Sequence, residues 1–261
     1  MSEPVGLKRL VTNPTLGTKV PEITVLFWVT KIASTGMGES VSDALVKGTG
    51  PGVAIPAAAV LFFAALYLQF RTDSYVPWVY WVAVVMVAVF GTMAADVLHV
   101  GLGVPYDAST AFFAVVLAAV LVVWHRTEGT LSIHSVNTSR RELFYWLTVM
   151  STFALGTAAG DFTAVTLDLG FLASGVVFAL VIAVPWAWHA GLGRNEVATF
   201  WFAYIITRPL GASFADYFAV SPGRGGLGWG YPVTAVLSTL VVAALIAWNQ
   251  RVGTVGSAAD T

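Results

Sequence analysis

The sequence predicts an all-α polytopic membrane protein: eight transmembrane helices forming four parallel two-helix repeats, with the odd helices central. Three observations predict it. The first is composition. Of 261 residues, 57% are apolar and 10% are charged, with a mean hydropathy of +0.78. A soluble domain carries about 25% charged residues. The second is length: eight apolar stretches approach the roughly 20 residues that cross about 30 Å of hydrocarbon. The third is a residue pattern shared by the odd stretches.

The first stretch, 22–44, is the most polar. The second, 53–70, follows a Gly- and Pro-rich run, Gly48-Thr49-Gly50-Pro51-Gly52. The third and fourth, 77–98 and 107–124, flank another such run, Gly101 to Pro105, and Asp107 stands where a carboxylate caps a helix start. The fifth and sixth are 142–164 and 169–188, with Asp168 placed like Asp107. The seventh, 197–218, contains Arg208-Pro209. A third Gly-rich run, Ser221 to Gly226, precedes the eighth, 231–249, where Pro232 suits a first turn. Residues 1–18 form a polar tail, 19–250 one membrane domain, and 251–261 a polar C-terminal tail. Lys8, Arg9 and Lys19 precede a span too long for a cleavable signal core.

An even span count puts both termini on one side. That side collects Lys8, Arg9, Lys19, Arg71, Arg126, Arg140, Arg141, Arg194 and Arg251, nine of the thirteen basic residues. Positive charge marks the cytoplasmic side, so the expectation is the bacterial inner membrane with both termini cytoplasmic. Nine of the ten tryptophans, all but Trp229, fall near the cytoplasmic span ends, as an interfacial aromatic belt would.

Aligned on Trp28, Trp81, Trp146 and Trp201, the odd stretches each have glycine ten residues later (Gly38, Gly91, Gly156, Gly211). Each has aspartate fifteen residues later (Asp43, Asp96, Asp161, Asp216). An aromatic residue precedes each Trp. The repeats run at about 19–73, 74–137, 138–192 and 193–250, and two crossings per unit give all four one orientation. On these residues the chain resembles an uncharacterised family of bacterial membrane proteins built from four tandem two-helix repeats, each with a characteristic Trp. The resemblance covers about 19–250 and implies an architecture, not an activity.

At 100° per residue, positions seven, ten, eleven and fourteen after the Trp share a face. They are mostly small, as close helix packing in lipid requires. The glycines read as packing residues, or as hinges that expose carbonyls. Asp43, Asp96, Asp161 and Asp216 lie one turn beyond Glu39, Thr92, Thr157 and Ala212. Ionised carboxylates inside a span are costly and mark cavities, partners or pathways. They could lock neighbouring repeats together, or hold a cation. Within the spans Glu39 and the four aspartates face only Lys31 and Arg208, a formal net of −3. Uncompensated buried charge is expensive, which favours protonation or a bound cation.

The first unit adds a polar stripe, Lys31, Ser34, Thr35, Gly38 and Ser42, that reads as a pathway lining or a line of helix–helix contact. Pro209 should loosen the turn before it, and Arg208 reads as a fixed counter-ion for an aspartate or as a tethered cation displaced during transport. His99, three residues after Asp96, is a polar end residue or a weak metal ligand with it. His125 and His189 read as interfacial.

A net charge of −1 gives no nucleic-acid footprint, and zero cysteines exclude thiolate chemistry. No nucleotide-loop or zinc-protease signature occurs, and no cofactor is expected. Together the residues point to a secondary transporter of a small cation, such as Mn²⁺, Mg²⁺ or a proton-coupled ion. Asp43, Asp96, Asp161, Asp216 and Glu39 would be ligands or proton carriers, Thr92 and Thr157 auxiliary oxygens, and Lys31 and Arg208 the charge balance. A pseudo-tetrameric cation channel, an intramembrane enzyme using an Asp pair, and a sensor without turnover are the alternatives. The expected partners are the cation, protons and the bilayer; oligomeric state is not legible.

Overall fold

The computed structural model describes residues 17–192 and 195–259, with side chains described for 17–184 and 195–251. Lys8, Arg9 and Arg194, and the side chains of Trp186, Trp188 and His189, lie outside the described residues. The described residues are all-helical. The helices are α1 (Val25–Thr49), α2 (Pro51–Arg71), α3 (Pro77–Asp96), α4 (Tyr106–Glu128), α5 (Ser139–Asp161), α6 (Gly170–Leu192), α7 (Glu196–Ala219) and α8 (Tyr231–Ala259). Short local devices set their ends. Thr24 and Thr138 accept the N–H groups of Phe27 and Arg141, satisfying donors that a helix start leaves free. Pro51 and Pro77 open α2 and α3, where a missing N–H costs nothing. Asp107 sits inside the first turn of α4 and accepts from Ala108 N. Asp168 lies two residues before α6 with φ 55°, so its role is in the turn.

Five helices are long and apolar enough to cross a membrane: α2, α3 with its extension to Gly101, α4, α5 with its extension to Thr166, and α8 to Arg251. Residues 170–184 of α6 form a shorter apolar run. Helices α1 and α7 are of similar length, but Lys31, Glu39, Asp43, Lys47 and Arg208 lower their apolarity. Of these, Lys31, Glu39 and Arg208 are buried and meet protein instead of lipid.

The odd helices form a closed ring in which α1 touches α3, α3 touches α5, α5 touches α7, and α7 returns to α1. The even helices lie outside it. Each packs chiefly on the odd helix of the following repeat: α2 on α3, α4 on α5, α6 on α7, and α8 back on α1. The two helices of one repeat therefore do not make a self-contained hairpin. Each repeat completes its neighbour, and the last completes the first.

The ring is held by one contact used four times. Each repeat glycine receives the position-seven side chain of the next unit. Gly38 faces Ala88, Gly91 faces Phe153, Gly156 faces Arg208, and Gly211 faces Thr35. A Cβ on Gly91 would stand 2.8 Å from that of Phe153, and one on Gly211 would stand 2.7 Å from that of Thr35. The glycines are therefore packing residues, as their conformation within regular helices also indicates.

The repeated tryptophans correct one expectation. Trp81, Trp146 and Trp201 are buried in the main core together with Trp124, Tyr80, Tyr145, Phe27 and Tyr204. They do not form an interfacial belt. The odd helices are inside the bundle, so the ends of their spans face other helices. Among the described residues the exposed tryptophans are Trp78, Trp229 and Trp248.

Adding a methyl group to these contacts should be felt. Gly91→Ala and Gly211→Ala are each expected to lose about 1–3 kcal/mol by overpacking. A Cβ on Gly52 meets nothing within 4 Å, so Gly52→Ala should melt with the wild type or slightly above it. Thermal unfolding of the purified variants in detergent checks both.

Candidate functional site

Four residues span about one helical turn, so positions three, seven, eleven and fifteen after each Trp stack in layers along the ring axis. The position-three layer is Lys31, Val84, Val149 and Tyr204; the next is Thr35, Ala88, Phe153 and Arg208. All eight are 0% exposed. The position-eleven layer, Glu39, Thr92, Thr157 and Ala212, is also buried. The aspartates come next. Before the Lys31 layer lies the aromatic core, in which the Tyr80 and Tyr145 hydroxyls share a hydrogen bond of 2.5 Å.

Arg208 joins these layers. From the position-seven layer of α7 its guanidinium reaches the position-eleven layer of the other three repeats. Nη2 lies 2.7 Å from Glu39 Oε2 and 2.6 Å from Thr157 Oγ1, and also within hydrogen-bond reach of Thr92 Oγ1. Nη1 donates to the Thr35 carbonyl at 3.1 Å. Thr92 Oγ1 donates to Glu39 in turn. The Phe153 ring covers the guanidinium from the side, 5.1 Å away. Gly156 makes room for the aliphatic stem of Arg208, which any side chain there would displace. Arg208 therefore pairs with Glu39, not with an aspartate as its sequence position suggested. Pro209 stays inside α7 without ending it.

Among the described residues Lys31 has no carboxylate partner and its ammonium nitrogen no hydrogen-bond partner. That nitrogen lies 3.9 Å from the Phe153 ring centre and 4.2 Å from that of Tyr204. The rest of the polar stripe turns inward on its own helix. Ser34 and Thr35 both donate to the Lys31 carbonyl, as hydroxyls in helices commonly do. Ser42 is buried with no partner.

The aspartates lie one turn beyond the position-eleven layer. Asp216 is buried, and the other three are partly so. Asp43 pairs with Lys47 one turn on, and Lys47 lies over the Tyr231 ring. Asp96, Asp161 and Asp216 have no ion pair or hydrogen bond to a side chain among the described residues. Each is within electrostatic reach of Glu39 and of at least one other aspartate. They do not close on a single point: no group of three or more His, Asp or Glu side chains suited to one metal ion occurs among the described residues. His99 is turned away, with Nδ1 on the Val104 carbonyl and its ring stacked on Tyr106.

Two aspartates mark a change of backbone. The helix after Asp96 continues as a π-helical turn over Val97–Gly101, and the helix after Asp161 continues as one over Phe162–Thr166. In each, the residue after the turn bonds five residues back, Leu102 to Val97 and Leu167 to Phe162. Such turns are rare and concentrate at functional sites. They occupy equivalent places in repeats two and three and have no counterpart after Asp43 or Asp216. Nothing in the regular helical pattern of the odd stretches marks them.

A second buried ion pair also escaped sequence reasoning. Lys19, counted there as a loop cation, lies 2.6 Å from Glu142 Oε2, and Gln69 donates to the other oxygen at 3.0 Å. This network ties the segment before α1 to α2 and α5, at the end of the bundle opposite the aspartates. A cavity of about 620 Å³ lies at that end too, among Trp28, Ile133, His134, Ile182, Glu196 and Phe200. It is apart from the axial layers.

Breaking a buried ion pair by removing one partner typically costs about 3–5 kcal/mol, because the other charge stays buried. Glu39→Gln and Arg208→Met should each be strongly destabilising. The double variant should be less so than the sum, since it leaves no orphaned charge. A double-mutant cycle by denaturant or thermal unfolding reads that coupling; additive losses would mean the pair is not formed.

A family model described as a Repeat of Unknown Function (DUF347) matches residues 26–75, 79–130, 144–194 and 199–254. No curated protein matches, and no solved structure matches. Each matched segment contains its aligned Trp (Trp28, Trp81, Trp146 or Trp201), the glycine ten residues later and the aspartate fifteen residues later, the residues that build the ring and the layers along its axis. The chain belongs to this DUF347 repeat family, as four tandem copies of its repeat.

Proposed function

We propose that this protein is a secondary carrier of a small cation, and that its cargo must displace Arg208 from Glu39 to pass. The reading rests chiefly on one observation: Asp96, Asp161 and Asp216 lie one turn beyond the layer that holds the Arg208 guanidinium, with no ion pair or hydrogen bond to a side chain among the described residues. The carboxylates raise the local concentration of cations. The oxygens near the axis, from Glu39, Thr92, Thr157 and the Thr35 carbonyl, already hold one cation, the Arg208 side chain. An all-oxygen donor set suits hard ions such as Mn²⁺ or Mg²⁺. A tethered cation that competes with the cargo keeps the empty carrier closed. A bonded arginine on the axis also speaks against a permanently open channel.

The nine basic residues of one side support an orientation in which both termini, the aromatic core and the Lys19–Glu142 pair are cytoplasmic. The aspartates then open to the outer face of a bacterial cytoplasmic membrane.

Reconstitution in liposomes tests this. Wild-type vesicles should take up Mn²⁺ or Mg²⁺ faster than protein-free ones. Asp96→Asn and Asp161→Asn should each reduce that uptake severely while the protein remains monodisperse. Full uptake in both variants, or none by the wild type for any cation tried, would contradict the reading.

A further inference from the structure

The carrier reading leaves one buried charged group without a task. Lys31 is 0% exposed and one turn from the Arg208 layer on the aromatic side. From α7 it faces Tyr204 and Arg208, and from α5 it faces Phe153. Within α1 the hydroxyls of Ser34 and Thr35 are committed to the Lys31 carbonyl. From α8, Asn249 is committed to Thr30. Among the described residues no carboxylate pairs with the amine, and Nζ has no hydrogen-bond partner. An aromatic cage offsets part of an ammonium's desolvation, but a full counter-ion is missing.

We propose that Lys31 carries the coupling proton at a site separate from that of the cation, and that the two ions are exchanged, each released on the side where the other binds. The proposal rests on the carrier reading. With Arg208 bound to Glu39, the arginine charge is neutralised close by, and a proton on Lys31 is tolerated. When a cation takes Glu39, Arg208 loses its counter-charge one turn from Lys31. The repulsion then ejects the proton: an Nζ–H bond breaks, the electron pair stays on nitrogen, and water on the side from which the cation arrived takes the proton. Release of the cation to the other side restores the Arg208–Glu39 pair, and Lys31 regains a proton from water on that side. Cation binding and Lys31 protonation oppose each other, and by linkage the coupling is reciprocal. The Tyr80–Tyr145 hydroxyl pair, in the aromatic core next to the Lys31 layer, offers groups that can both give and accept a hydrogen bond.

The test uses the full-length protein and Mn²⁺. In weakly buffered detergent solution with a pH dye, Mn²⁺ binding by the wild type should release protons. In liposomes, a pH gradient should drive Mn²⁺ uphill. Lys31→Met removes the amine, and Lys31→Arg keeps a charge that cannot be discharged. In both variants, gradient-driven accumulation should be lost and proton release diminished, while exchange of Mn²⁺ for labelled Mn²⁺ across the vesicle continues in at least one. Undiminished proton release and accumulation in both variants would overturn the assignment of Lys31 alone. Absence of all Mn²⁺ exchange in the wild type would overturn the carrier reading, and this assignment with it.

Discussion

A guanidinium sealed inside a bundle needs more acceptors than one neighbour can offer, and Arg208 finds them on three other repeats. Glu39, Thr92 and Thr157 occupy one repeat position on α1, α3 and α5, and they meet the arginine contributed by α7. This fixes much else. The arginine stem needs the space left by Gly156. Its acceptors must lie at one height, so the four units must be in register. The charge must be kept from lipid, so the odd helices must form a closed ring. An ion pair of this kind adds little stability over an apolar core; its value lies in specifying one arrangement of four similar units.

The repeat provides symmetry and the axis breaks it. Thr35, Ala88, Phe153 and Arg208 occupy one position, so four equal glycine contacts bring four different groups to the centre. The position-three layer likewise sets Lys31 against Val84, Val149 and Tyr204. A fourfold pore would need equal units. Here one repeat supplies the arginine, another the glutamate and the lysine, and two supply the hydroxyls and the π-helical turns. The packing positions stay alike while the axial chemistry diverges, as expected of a scaffold whose function is concentrated in a few substitutions.

Much of this was legible in the sequence, because a period of 3.6 in spans of known length marks helices, faces and depths together. The eight helices, the central odd helices and the shared face that holds Glu39, Thr92, Thr157 and Arg208 follow from that period. Partnerships did not follow. Glu39 and Arg208 are 169 residues apart, and Lys19 and Glu142 are 123 apart. Which repeat stands beside which depends on ring closure. Closure also explains the tryptophans: near a span end, Trp reads as interfacial unless that span is enclosed. The packing of each even helix on the next repeat, with α8 on α1, is a property of the assembled ring and not of any unit.

The central claim is that four tandem repeats close, first on last, around Arg208. The chain has no cysteine, so an introduced pair reports without background. A Cβ on Gly36 would stand 3.7 Å from that of Ala215, within the range that a disulfide spans. The variant carrying Gly36→Cys and Ala215→Cys should cross-link α1 to α7 within one chain under mild oxidation in the membrane, seen as a mobility shift that a reductant reverses. Failure of that pair to cross-link, in a protein that is folded and inserted, would mean the first and last repeats do not meet and the ring is not closed.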